Sequence, residues 1–447
     1  MKQQFEKSLE SIKLLLKTKL KSDDLINQQL HRDNQCVEII YIKSICDSQT
    51  IDLKIMKPFF EINSIEAYEM YIRSLPENKS YQSEQVAINN LLRGHVAIFT
   101  PTKCIFIDVK KIVNNNIFET TVESTLQGPK NALSEDLATN LNLIRHRYHL
   151  QSLTVELKAV SQTNLQLALL FDKSKVDSEL LAKVQKKLAS IDKQKIESSA
   201  QLQRYLNNQK RRLFPTIMIT ERPDRISFNL LKGKIAVLIE GSQFALIIPS
   251  VFFDFMSSMD DKYQSYWVTK SLVILRYTGL FISTFLPGLY VAFSAFNPEV
   301  LRVQLTLSIS GSRMSVPFPA YLEVLFMLLM MEMLVEASIR LPKSIGSTAT
   351  TVGGLILGQA ATQAGLVSNI MIIIVAAVAI SNFVVPINEM GFSFRVVKYV
   401  LLLISTLFGL IGIIFGFVAL LIYLVHLESF GQPYLKLFIQ DTTDKNL

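Results

Sequence analysis

Cysteine is scarce, and its scarcity limits the chemistry available. The chain holds three, Cys36, Cys46 and Cys104, an odd number without CxxC spacing. That suits free buried thiols in a reducing compartment and excludes a disulfide framework or a zinc cage. No GxxxxGK[ST], no GxGxxG after a strand, no HExxH and no GxSxG elbow occurs, so nucleotide, metalloprotease and hydrolase chemistry lack a carrier. His146 and His149 share an Arg-rich helical stretch without an acidic or cysteine partner at metal spacing, and they read as ordinary residues. No catalytic set, metal or cofactor is expected. Runs of five basic residues are missing too, as is a basic stripe interleaved with aromatics, which argues against nucleic acid as a partner. The opening segment MKQQFEKSLESIKLLLKTK has no apolar h-region and no cleavage site, which places the first domain in the cytoplasm.

What is present divides into two halves. The chain has 447 residues with a formal charge of +8, and from Val268 onward it carries ten Lys or Arg against eight Asp or Glu. About +6 therefore sits on residues 1–267, a mild excess that suits an anionic membrane leaflet. Residues 1 to about 30 show an amphipathic helical pattern at Phe5, Leu9, Ile12 and Leu16. Val37 to Ile45 and Val96 to Val109 are β-rich, the second broken by Pro101, and 62–75 and 84–92 read as helices. These make a first α/β subdomain, 1–115. A helix from Ser134 leads into a second, 116–267, with strands at 216–220, 226–230, 234–240 and 243–248 and helices before them. Within it, Glu221, Arg222, Pro223 and Asp224 have two readings. They form either a structural turn between two strands or a charged contact to another domain or subunit.

Residues 268–428 read as an α-helical polytopic membrane domain, followed by a short tail, 429–447. The expected spans are 277–296, 316–339, 366–387 and 396–424, with both ends inside. The second span carries Glu323, Glu332 and Glu336, each costing about 2.5–3.5 kcal/mol at mid-bilayer unless partnered, protonated or wetted. Glu332, Glu336 and Arg340 share a face at i, i+4 and i+8, while Glu323 lies about 180° away. An ion pair of Glu336 with Arg340 that locks packing is one reading; for Glu323 the pattern favours a hydrated path or an inter-subunit contact. In 346–365, Gly346, Thr350, Gly354, Gly358, Ala361 and Gly365 form a stripe of small side chains, with Gln359, Thr362 and Gln363 as polar neighbours. The stripe is either a packing seam or the lining of a gate, and the segment is re-entrant or a short helix, or else spans fully, which would move the C-terminus outside. Gly409, Gly412 and Gly416 give the last span a close-packing face.

The strings PFPAYLE, EASIRLP, GGLILGQAATQAGLVS and SFGQPYL, with RLFPTIMITERPD, KGKIAVLIEGS and PGLYVAF upstream, occur in an order that resembles the A-subunits of GerA-type spore germinant receptors. The likeness covers most of residues 120–435. Departures are Val335 and Ser338 where the family usually has Arg and Gly, Gln127 in place of an Arg, and Ser242 without a following Pro. The resemblance implies a subunit of the endospore inner membrane with its N-terminal domain on the core side. Its implied partners are a membrane B-subunit and a C-subunit lipoprotein. It further implies a homo-oligomeric ring, expected to be a pentamer, that conducts monovalent cations when nutrient binds. Candidate pore or gating residues on this reading are Glu323, Glu332, Glu336, Arg340, Gly354, Gly358, Gln359 and Thr362. Two alternatives stay open: a secondary transporter using the intramembrane carboxylates, and an accessory A-like germination subunit.

Overall fold

The computed structural model describes all residues except 1, 33–34, 77, 112–118, 124, 126, 161–163, 192–195, 208–211 and 437–447. The chain divides into two compact units. One comprises Met1–Lys210, Thr216–Ser250 and Ser429–Gly431; the other comprises Arg211–Pro215, Val251–Glu428 and Gln432–Leu447. The second unit thus begins near residue 250, earlier than the sequence suggests, and captures a short stretch from far upstream.

The first unit is one plan used twice. Helix α1 (Lys2–Lys19) precedes the hairpin β1 (Leu25–Arg32) and β2 (Gln35–Ile42); α2 (Ser48–Ile51), α3 (Lys57–Glu61) and α4 (Ile65–Ser74) follow, then β3 (Lys79–Ser80), α5 (Glu84–Leu92), β4 (His95–Phe99) and β5 (Cys104–Asp108). The second pass runs α6 (Leu137–Arg145), β6 (Leu153–Ala159), β7 (Gln166–Asp172), α7 (Ser178–Ile191), α8 (Ser199–Leu206), β8 (Met218–Thr220), α9 (Pro223–Leu231), β9 (Ile235–Ile239) and β10 (Ala245–Ile248). The sheets are ordered β1-β2-β4-β5-β3 and β6-β7-β9-β10-β8, with antiparallel neighbours throughout.

Period-two alternation dresses both faces of each sheet. Val37, Ile39 and Tyr41 point to one side with Ile55, Phe59, Tyr68 and Ile72 of the intervening helices. Ile40, Ile42 and Phe106 point to the other, against Leu16 of α1 and Ile88 and Leu91 of α5. In the second sheet Leu169, Val237 and Leu246 meet α7 and α8, while Leu170, Ala236 and Leu238 meet α6 and α9. The helices around 62–75 and 84–92 form as expected. Three local expectations are corrected. Helix α1 ends at Lys19 and an unforeseen strand, β1, starts at Leu25. Residues 226–230 are helical: Pro223 sits in the first turn, where its missing N–H costs nothing, and Ile226 and Leu230 bury one face at i, i+4. Cys36 is exposed, whereas burial pushes the thiols of Cys46 and Cys104 up to about 12 and leaves them inert.

A buried ion pair joins the two passes. Asp24, just before β1, takes the Arg145 fork of α6 at 2.8 Å on Oδ1 and 3.2 Å on Oδ2, and Ser44 also donates to Oδ2 at 2.5 Å. Ser22 accepts from the Val155 amide of β6 at 2.9 Å. Elsewhere Glu38 of β2 holds α1 through Lys13 at 2.8 Å and Lys17 at 2.9 Å. Burial raises the Glu38 carboxyl, but the hydrogen bonds and charges of the two lysines outweigh it and hold it below its ordinary 4.5.

The second unit opens with α10 (Phe252–Phe255) and continues as a helical bundle. Helix α11 (Tyr266–Val291) runs on through a π-turn to Phe296, and α12 (Val303–Arg313), α13 (Ala320–Arg340), α14 (Lys343–Gln363), α15 (Asn369–Asn382) and α16 (Asn388–His426) follow. The segment 346–365 lies mainly within α14, a continuous helix of 21 residues. A Cβ built on Gly353 would meet Leu334 of α13 at 3.3 Å, which shows α14 doubling back along its predecessor. The expected single span 396–424 is instead a hairpin. Gly409 takes φ 61° and ψ −139° inside α16 and splits it into arms 388–408 and 410–426. Cβ atoms added to Gly412 and Gly416 would sit 2.7 Å from the Ile404 carbonyl and 2.4 Å from Leu401, so the arms lie flush against one another. The glycine face packs within its own helix pair.

Replacing Arg145 with Met strands the Asp24 carboxylate in the interior and should cost about 3–5 kcal/mol, while the double change with Asp24→Asn should cost much less. Amide exchange of β1 and β6 in the full-length protein measures both. Because the Glu38 carboxyl is depressed, its contribution is full above pH about 4.5 and is lost as pH falls further. The amides of α1 should therefore lose protection in acid before those of β2.

Candidate functional site

Two clusters of charge in the second unit meet at two levels of α13. Near its start, Glu323 is 1% exposed. One of its oxygens accepts from both the amide and the hydroxyl of Ser368, each at 2.6 Å, and the other faces Arg313 Nε at 3.4 Å. Ser368 also caps α15 by accepting from the Met371 amide. A single carboxylate thus fastens the end of α12, the first turn of α13 and the start of α15. Its basic partner lies ten residues upstream, beyond the reach of any helical i, i+4 rule.

About two turns further along α13, Glu332 turns away from Arg340. Its oxygens take Lys398 at 3.0 Å and Arg395 at 3.3 Å, both on the first arm of α16. Lys398 is almost wholly buried. The three charges edge a narrow cleft lined by Leu328, Met331, Val378, Asn382 and Phe383, with room for little more than one water molecule. Glu336 and Arg340 pair with each other at 2.7 Å on the outside of the helix, where such a pair contributes about 0.3–0.5 kcal/mol. The shared face drawn from spacing is therefore divided: Glu332 goes inward to α16 and the other two go outward.

On α14, Gly354 has open space where a Cβ would stand, and at Gly358 only the tip of Ile372 comes as near as 3.9 Å. Gln359 and Gln363 are exposed, while Thr362 donates back to the Gly358 carbonyl at 3.1 Å. Ala361, by contrast, is buried in the bundle core with Val291, Val324 and Met371. Helix α14 has one face packed on its own bundle; its exposed face carries Gln359 and Gln363 together with Val352, Leu355 and Ile356, and beside it Gly354 and Gly358 have little over them among the described residues.

In the first unit, Glu221, Arg222 and Asp224 form a buried knot. Glu221 accepts from the amides of Val122 at 2.6 Å and Glu123 at 3.0 Å. The Arg222 fork pairs with Asp224 at 3.0 Å and 2.7 Å and donates to the carbonyls of Glu123 and Pro129. Pro223 is buried at the start of α9. Arg225 faces Glu123 at 2.8 Å; burial pushes that carboxyl up against the pull of Arg225. These residues hold the loop that contains Gln127, and all are enclosed within the unit. Among the described residues no group of His, Cys, Asp and Glu is placed to hold a metal ion.

A family model described as Bacillus/Clostridium GerA spore germination protein matches residues 11–446. The chain belongs to the GerA family. Among the curated relatives of this GerA chain, spore germination protein KA of Bacillus subtilis is 33% identical over 426 residues, covering 93% of this chain and 78% of that one. Spore germination protein A1 of the same organism is 31% identical over 432 residues, covering 95% and 89%. The crystal structure of the N-terminal domain of the A subunit of the Bacillus megaterium spore germinant receptor GerK3 matches 54% of this chain and 93% of its own length, at 22% identity and a TM-score of 0.39. Among the described residues, two helical segments of the GerA chain, Tyr266–Phe296 and Asn388–His426, are long and apolar enough to cross a membrane.

Glu332→Leu leaves Arg395 and Lys398 side by side without a counter-charge and should destabilise the second unit by about 3–5 kcal/mol. Lys398→Met leaves Glu332 paired with Arg395 and should cost about 1 kcal/mol or less. Thermal unfolding of the two detergent-solubilised variants ranks them.

Proposed function

We propose that this chain is the A-subunit of a nutrient-responsive germinant receptor in the inner membrane of the endospore. There it assembles as a ring and passes monovalent cations when the receptor is engaged. A B-subunit and a C-subunit lipoprotein complete the receptor, with the first unit on the core side. Family membership and the names of the relatives support the role in germination. The exposed glutamines of α14, with the open space at Gly354 beside them, support the rest. A bundle whose outer surface is largely apolar, at Leu403, Leu407 and Phe415 for example, has little use for exposed Gln359 and Gln363 in lipid. Copies of the chain arranged so that these faces converge give the glutamines water and one another.

On this reading Gly354, Gly358, Gln359 and Thr362 border the path. Glu323 and Glu332 act as gating joints: each fastens α13 to a different neighbour, and a closed-to-open step needs elements that move as rigid pieces. Nutrient engagement then needs only a higher affinity for the open arrangement. The Glu336–Arg340 pair lies at the exit of α13.

A Cβ at Gly354 or Gly358 meets no close neighbour among the described residues, so a side chain can start at either position without a clash. Gly354→Leu or Gly358→Leu should leave the protein at normal abundance in spores and slow nutrient-triggered K⁺ and Na⁺ release about tenfold or more, or prevent assembly. Normal release with normal assembly would remove α14 from the path, and failure of the wild-type oligomer to conduct in liposomes under any nutrient would end the channel reading.

A further inference from the structure

Helix α11 is too long for the hydrocarbon it is read as crossing. From Tyr266 to Phe296 it spans about 45 Å, against about 30 Å for the apolar core and 40–45 Å for a whole bilayer. The excess lies at the start. Phe296 fixes the far end, because a Cβ on Gly409, the tip of the α16 hairpin, would touch its ring. Counting back about 30 Å from Phe296 arrives at Arg276.

Arg276 is itself a boundary. It is buried, its guanidinium forks onto Asp261 at 2.9 Å and 3.0 Å, and it donates to the Met256 carbonyl at 2.6 Å. Such a cation is satisfied at the edge of the hydrocarbon and costly further in. Before it, the character of α11 changes. From Tyr266 to Leu275 all but Thr269 and Val273 are exposed, over most of the helix circumference, whereas from Arg276 onward one face is packed. The exposed set is Tyr266, Trp267, Val268, Lys270, Ser271, Leu272, Ile274 and Leu275. Trp267 is 81% exposed and stands edge-on to the Tyr266 ring at 5.5 Å, with Lys270 Nζ 5.5 Å from the same ring. Water would be a poor solvent for this largely apolar and aromatic surface; the headgroup layer suits its rings, its serine and its lysine.

We infer that residues 266–275 form an interfacial anchor seated among lipid headgroups, with Trp267 at the glycerol and phosphate level and the Arg276–Asp261 pair at the hydrocarbon edge. The inference rests on the membrane reading of the second unit and adds which layer the segment occupies. The anchor sets the depth of α11, and through Phe296 the depth of the hairpin tip.

Trp267 is the only tryptophan in the chain, so its fluorescence reports this segment alone. The full-length protein is placed in vesicles of phosphatidylcholine and phosphatidylglycerol at about three to one, carrying a nitroxide either on the headgroup or deep on the acyl chain. Quenching by the headgroup label should exceed that by the deep label about twofold, with weak quenching by iodide. Stronger quenching by the deep label, or strong iodide quenching with neither lipid label effective, overturns the inference. A second protein, Trp267→Phe with Phe415→Trp, moves the reporter to an exposed aromatic position on the second arm. If the deep label quenches it while Trp267 answers only to iodide, the anchor is wrong and the membrane reading stands. If no lipid label reaches it either, both fall.

Discussion

A charge withdrawn from water must meet an opposite charge or a set of donors, and in this chain that requirement decides which distant segments come together. Asp24 finds Arg145, Arg222 finds the loop carbonyls of Glu123 and Pro129, Glu323 finds Ser368 and Arg313, and Glu332 finds Arg395 and Lys398. Each pairing fastens elements that apolar burial alone would leave free to slide. Hydrophobic contact is non-directional, so it sets compactness. The ionic joints set register. In the second unit these joints tie α13 to α12, α15 and α16.

The elements of the first unit were largely legible, because period-two alternation in Val37 to Ile42 and helical spacing in Ile65 to Ser74 report burial directly. The doubling of the unit was not. The two passes share strand order and layering without a shared motif that the eye can align, so the repeat lives in the pattern of burial. The strand expected at 226–230 failed because a short apolar run beside a proline suits either state, and the first-turn preference of Pro223 decided for helix.

For the candidate site, the anomaly was legible and its resolution was not. Three carboxylates in an apolar run announce that something must answer them, but the answers for Glu323 and Glu332 lie 10, 45, 63 and 66 residues away. The glycines of α16 pointed to close packing, and close packing occurs, though between two arms of one helix pair. Two elements differ from the helices expected from sequence: α14 runs the length of its neighbour and α16 folds in two at Gly409.

The excursion of residues 211–215 has a consequence for any attempt to take the protein apart. By unit membership the chain passes from one unit to the other five times, the first time at residue 211 and the last at 432. Phe214 packs among Phe394, Tyr423 and Tyr434, and the Leu213 carbonyl accepts from Ser393 at 2.8 Å. A protease nick or a stop codon near residue 250 would therefore not release a clean soluble piece. It would leave an aromatic hook without its socket, and the fragment would be prone to self-association for a reason unrelated to how well its two sheets are folded.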